Sequence, residues 1–143
     1  MLKYINYETS PMNWCEDKYF YSEYIIEFWN SFTSLFFVFL SVSGYINTYK
    51  YKTGLLWFLY SLIGFTSFYF HSTLSFMGQF VDEVSIIIYI LYTIFQILNW
   101  NNIIFTLSVF LISSICFFYP NLSPFILLII LVPAVYYIQN LII

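Results

Sequence analysis

The chain has 143 residues, of which 62% are hydrophobic, 26% aromatic and only 8% charged, with a formal net charge of −3 and a mean hydropathy of +0.82. Soluble domains carry roughly 25% charged residues because their surface faces water, so this composition turns most of the surface toward lipid. There is no arginine and no basic cluster beyond Lys50 and Lys52, which excludes nucleic acid as a partner, since phosphate binding needs several cations.

Backbone groups inside lipid must be satisfied internally, which leaves helices or a closed barrel. The apolar runs are continuous rather than alternating, so helices are expected, each of about 20 residues. Residues 1–23 read as a polar N-terminal tail. With Lys3 and Glu8 in its first dozen residues, it does not resemble a cleavable signal peptide. The first helix is predicted over 24–46, with Glu27 and Asn30 near its start. The loop after it holds Lys50 and Lys52 and is placed in the cytoplasm by its positive charge. The second helix is predicted over 55–76, and Met77-Gly78-Gln79 reads as the turn that follows. The third, over 80–98, is opened by Asp82 and Glu83. The fourth covers 103–119 and the fifth 124–142, separated by Pro120-Asn121-Leu122-Ser123-Pro124, with Pro133 expected to kink the last. The expected fold is therefore all-α: one membrane domain over 1–143, a polytopic bundle of about five transmembrane helices. Two crossings separate the tail from the turn between helices two and three, so both lie on one face of the membrane.

Ionisable groups in or beside such helices are costly and point to function. Ser67 and His71, the only histidine, are four apart and share a helix face. A short hairpin makes helices two and three antiparallel neighbours, which puts His71 and Asp82 at similar depth. A carboxylate facing an imidazole, with a serine one turn away, suits proton transfer or metal chemistry. The plainer alternatives are that Asp82 and Glu83 complement a helix dipole, that His71 is a hydrogen-bonded interfacial residue, and that Ser67 bonds back to its own helix. In the tail, Asn13, Glu16, Asp17, Glu23 and Glu27 form a second polar cluster. It suits a hard cation such as calcium or is a solvated acidic segment. The two cysteines, Cys15 and Cys116, make neither a disulfide framework nor a four-ligand zinc site.

In order and spacing these residues resemble the alkaline ceramidases. That family carries Trp-Cys-Glu before its first helix and Glu-Phe-Trp-Asn within it; here stand Asn13-Trp14-Cys15-Glu16, then Ser22 and Glu27-Phe28-Trp29-Asn30. It then has a Gly-rich Ser-x-x-x-His-x-Thr-Leu segment and Asp-Glu-Leu; here stand Gly64, Ser67-Phe68-Tyr69-Phe70-His71-Ser72-Thr73-Leu74 and Asp82-Glu83-Val84. The resemblance rests on the first 85 residues; the rest matches as hydrophobic helices. It implies a seven-helix membrane hydrolase of the endoplasmic reticulum or Golgi that cleaves the amide of ceramide to sphingosine and a fatty acid. It implies a zinc ion held by three histidines and calcium near the N-terminus. On this resemblance His71 takes the first zinc-ligand position. Asp82 takes that of the acid handling the proton of the zinc-bound water, and Ser67 that of the group steadying the polarised carbonyl. Trp14 by its carbonyl, with Glu16 and Glu27, takes calcium-ligand positions. Asn13 stands where the family has Asp, Lys18 where it has Asn, Thr66 where it has Gly, and Val84-Ser85 where it has Leu-Pro. The family's other two zinc histidines have no counterpart here. The enzyme reading therefore expects further ligands from missing C-terminal helices or a partner chain. The alternative is a non-catalytic membrane protein that binds sphingolipid or a partner.

Overall fold

The structure, a computed structural model, describes residues 9–12, 16–49, 53–98 and 101–142. Asn13, Trp14, Lys50 and Lys52 lie outside the described residues. Five helices follow in order: α1 (Phe28–Thr48), α2 (Gly54–Thr73), α3 (Phe76–Leu98), α4 (Asn102–Phe118) and α5 (Ser123–Ile142), with a single 3-10 turn, Pro120–Leu122, before α5. α1 packs along α2, α2 along α3, and α3 against both α4 and α5. α1 and α3 are each long and apolar enough to cross a membrane alone. α4 and α5 meet that test as a pair bent by 112° at the Pro120 turn. α2 has the length, but Ser61, Thr66, Ser67, His71, Ser72 and Thr73 dilute its apolar content.

The first helix begins later than its apolar run. Residues 24–27 are not helical, and Glu27 is extended, because the backbone has other partners: Ile26 N donates to Ser72 O (3.2 Å) and Glu27 N to His71 O (3.1 Å). These carbonyls end α2, where the last helical C=O groups lack intrahelical partners. The second correction concerns the α2–α3 turn. It lies at Leu74–Ser75 rather than at Met77-Gly78-Gln79, with Leu74 in the left-handed region (φ 42°) and its N–H bonded to Phe70 O. Gly78 sits inside α3 and serves close approach instead: a Cβ there would lie 3.0 Å from Phe70 Cα and 2.8 Å from Ser75 Oγ. α5 runs through Pro133 as one helix.

Small residues set the α1–α2 interface. Ser31, Ser34 and Ser41 are buried there, while Phe32, Phe36 and Phe39 face outward. Each buried serine donates to its own helix, to Glu27 O, Asn30 O and Val38 O respectively (2.6–2.8 Å), so these three hydroxyls are all satisfied. Packing by small residues with self-satisfied hydroxyls is how helices associate where lipid offers no hydrophobic drive. Gly64 extends the contact, since a Cβ there would meet Val38 at 2.8 Å and the Ser34 carbonyl at 3.0 Å. On the other side of α3, Ile87, Leu91 and Cys116 form a core cluster lined by Phe105, Ile112 and Ile130.

Candidate functional site

The polar residues singled out from the sequence gather at the end of the bundle where α1 begins and α2 ends. Glu16 caps α1 from outside the helix: its two carboxylate oxygens accept from Trp29 N (2.7 Å) and Asn30 N (2.9 Å). These are first-turn amides that no helical carbonyl can satisfy, and a carboxylate there also meets the positive end of the dipole. The Asn30 side-chain amide in turn donates to Glu27 Oε2 (3.1 Å). The same oxygen lies 2.6 Å from His71 Nδ1, with Glu27 fully buried. The carboxylate against the imidazole is thus Glu27, not Asp82. The physical reason is register. With the turn at Leu74–Ser75, α3 starts earlier, and Asp82 comes opposite Thr66 and Ser67, about one turn deeper than His71.

Around Asp82, Thr66 Oγ1 lies 3.3 Å from Oδ1. Ser67, the next residue, also offers its hydroxyl to this carboxylate. The Ser34 hydroxyl on α1 is 3.2 Å from that of Ser67. A chain of polar contacts therefore runs from Glu16 through Asn30 and Glu27 to His71, and from Asn30 O through Ser34 and Ser67 to Asp82. Glu16 and Glu27 of one cluster that the sequence suggests thus share a seam with Ser67, His71 and Asp82 of the other. The seam's hydroxyl members Thr66, Ser85 and Ser34 were not apparent from the sequence, because any serine or threonine in a helix bonds back to its own backbone.

Glu83 belongs to a different group. Gln79 Nε2 donates to Glu83 Oε1 (2.8 Å) and to Pro120 O (3.3 Å), and Ser10 donates to Gln79 Oε1 (2.6 Å). This buried set ties the N-terminal segment and the α4–α5 turn to α3. The i, i+4 spacing of Gln79 and Glu83 is a signal the sequence did carry. Ser10 N also bonds Leu74 O (2.8 Å), so the tail lies against the α2–α3 turn, on the face that the crossing count predicts. Asp17, Lys18 and Glu23 are exposed.

Among the described residues no three His, Cys, Asp or Glu side chains gather to hold a metal ion. For zinc the described residues do not fit: His71 is the one imidazole, and its Nδ1 is held by Glu27. For calcium one atom fits. Glu27 Oε1 is buried and has no hydrogen-bond partner among the described residues, a carboxyl oxygen that a hard cation would satisfy. Both Glu16 oxygens face backbone amides.

An all-helical bundle with lipid-facing aromatics and a buried polar seam at one end defines a polytopic membrane protein. The ceramidase family model matches residues 6–143, and the chain belongs to the ceramidase family. It is 39% identical over 87 residues to alkaline ceramidase 1 of Homo sapiens, covering 57% of this chain and 33% of that protein. It is 35% identical over 85 residues to alkaline ceramidase of Drosophila melanogaster, covering 55% of this chain and 30% of that one. With alkaline ceramidase of Caenorhabditis elegans the identity is 29% over 159 residues, covering 92% of this chain and 56% of that protein. The chain thus spans between about a third and about half of the length of these relatives.

Proposed function

We propose that this chain binds ceramide at its polar seam and supplies part of the apparatus that cleaves the ceramide amide to sphingosine and a fatty acid. The observation that carries this reading is the placement of Ser67, Asp82 and His71 on two adjoining helices at one end of the spans. A ceramide lies in a bilayer with its amide near the headgroups. His71 is in the last turn of α2, and Asp82 lies about one turn further in. A polar seam at this end of the helices suits the depth of such an amide. In this reading Asp82 takes and returns a proton as water adds to the amide carbon, and Ser67 donates to the carbonyl oxygen. The amine leaves as sphingosine, and the water oxygen stays in the fatty acid. His71 is the one histidine this chain would contribute to zinc, the others coming from further C-terminal helices or a partner chain. Calcium would be held through Glu27, with Glu16, Asn13 and the Trp14 carbonyl. The membrane is that of the endoplasmic reticulum or Golgi.

The test is hydrolysis of a labelled ceramide by membranes expressing the chain, beside Asp82→Asn and His71→Ala. Turnover that is lost in both variants supports the reading. Turnover no higher than in the variants, with the protein present in the membrane, overturns it. That result would leave the second reading, a sphingolipid-binding protein without cleavage, which the lack of any three-ligand metal cluster among the described residues favours. Crosslinking by a photoactivatable ceramide, competed by unlabelled ceramide, would then show binding.

A further inference from the structure

Thr66 occupies an unusual position in the hydrogen-bond network. Its side chain carries one proton, and four oxygens lie around it: Leu62 O (3.0 Å), Ile63 O (3.1 Å), Asp82 Oδ1 (3.3 Å) and Ser85 Oγ (2.8 Å). A hydroxyl donates once and accepts twice. The carbonyls of Leu62 and Ile63 can only accept, and so can an ionised Asp82. The Thr66 proton can therefore go to its own helix, to Ser85 Oγ or across to Asp82. Ser85 has a comparable choice, since its hydroxyl lies 2.7 Å from Asp82 O as well as 2.8 Å from Thr66 Oγ1. All three residues are buried, at 8%, 7% and 3% exposure for Thr66, Asp82 and Ser85, so water does not offer a substitute partner. An unmatched buried carboxylate is costly, and a hydrogen bond to a charged group is worth about twice a neutral one.

From this we infer that Thr66 is a positioning residue for Asp82: its hydroxyl rotates between its own helix carbonyls and the Asp82 carboxylate, and Ser85 holds it in reach of both. When Asp82 is ionised the proton points across the interface and, with Ser67, fixes the carboxylate from α2. When Asp82 has taken up a proton, Thr66 returns to Leu62 O, and its lone pairs become acceptors. Thr66 and Ser85 meet each other in space beside the same residue, Asp82. The catalytic meaning of this arrangement rests on the proposed ceramide hydrolysis; the hydrogen bond itself does not.

The experiment is infrared spectroscopy of the full chain in lipid nanodiscs, with the Asp82 carboxyl and carboxylate bands assigned by subtraction of Asp82→Asn. Thr66→Val keeps the shape and removes the hydroxyl, and Thr66→Ser keeps the hydroxyl. The expected result is that the Asp82 band shifts in Thr66→Val and returns in Thr66→Ser. In Ser85→Ala, which leaves Thr66 intact but unrestrained, it broadens. Where Thr66→Val is folded, any ceramide turnover falls about tenfold or more, the loss of one charge-assisted hydrogen bond, and Thr66→Ser restores it. An unmoved Asp82 band in Thr66→Val shows that Thr66 serves its own helix only and overturns the inference. If Thr66→Val does not fold, an Asp82 band in Ser85→Ala identical to that of the parent overturns it instead. A shifted band in a chain without ceramide turnover sinks the hydrolytic reading and leaves the positioning role standing.

Discussion

Glu27 and His71 stand 44 residues apart in the chain and meet at 2.6 Å, Glu27 Oε2 against His71 Nδ1. Their backbones are joined as well, since Glu27 N donates to His71 O. One residue thus caps the frayed end of α2 with its amide and holds the imidazole of that same end with its carboxylate. The extended segment before α1 and the last turn of α2 form one unit, and its parts should fail together.

His71→Ala leaves the fully buried Glu27 carboxylate with Asn30 as its remaining side-chain partner among the described residues. Removing one member of a buried pair costs about 3–5 kcal/mol, and the partial exposure of His71 puts the expected loss at the lower end of that range. Glu27→Gln keeps the shape and a hydrogen-bonding oxygen, and is expected to cost about 1–2 kcal/mol. Thermal unfolding in detergent, followed by helical circular dichroism, measures both. A His71→Ala variant as stable as the parent would show that the pair does not hold this end of the bundle together.

The glycines should differ sharply from one another. A Cβ at Gly78 meets the Phe70 backbone at 3.0 Å, and one at Gly64 meets the Ser34 carbonyl at 3.0 Å. Backbone cannot swing aside as a flexible side chain can, so Gly78→Ala and Gly64→Ala are each expected to cost about 1–3 kcal/mol. Gly54→Ala places its Cβ 3.5 Å from the Tyr45 ring, an ordinary contact. That change should be neutral or stabilising by up to about 1 kcal/mol, because it removes freedom from the unfolded chain. The same unfolding assay ranks the three.

Glu16 reaches two first-turn amides of α1. Glu16→Ala is expected to lower stability by about 1–2 kcal/mol, the usual cost of losing an N-terminal cap. Hydrogen exchange localises the effect. The amides of Trp29 and Asn30 should lose protection, while those in the middle of α3 should keep it. Uniform loss of protection would mean that Glu16 acts elsewhere.

Calcium bound at Glu27 Oε1 would stabilise by mass action, by about 2.7 kcal/mol at a hundredfold excess over the dissociation constant. The melting temperature of the parent should rise with added calcium, and Glu27→Gln should abolish the rise. Magnesium, which demands a tighter octahedral shell, should substitute poorly. A melting temperature that does not move at millimolar calcium rejects the site.

Much of this molecule is legible without coordinates. Composition alone calls for lipid-facing helices, and five apolar runs separated by polar or proline-containing breaks place all five helices to within a few residues, because each helix in lipid must close its own backbone hydrogen bonds. The motif residues Glu16, Glu27, His71 and Asp82 stand out because charge and imidazole are rare in such a chain, and Ser67 because it lies one turn from His71. What the linear order does not contain is which of them touch. That depended on where the α2–α3 hairpin turns. Gly78 reads as a turn residue, yet it permits a close helix crossing, and the turn falls at Leu74–Ser75 instead. The shift of a few residues rotates and slides α3 so that Asp82 comes to face Thr66 and Ser67, leaving His71 to Glu27. Local spacing determines which residues share a helix face. Only the packing of one helix on another determines the register between faces, and that register depends on contacts as small as the missing Cβ of a glycine.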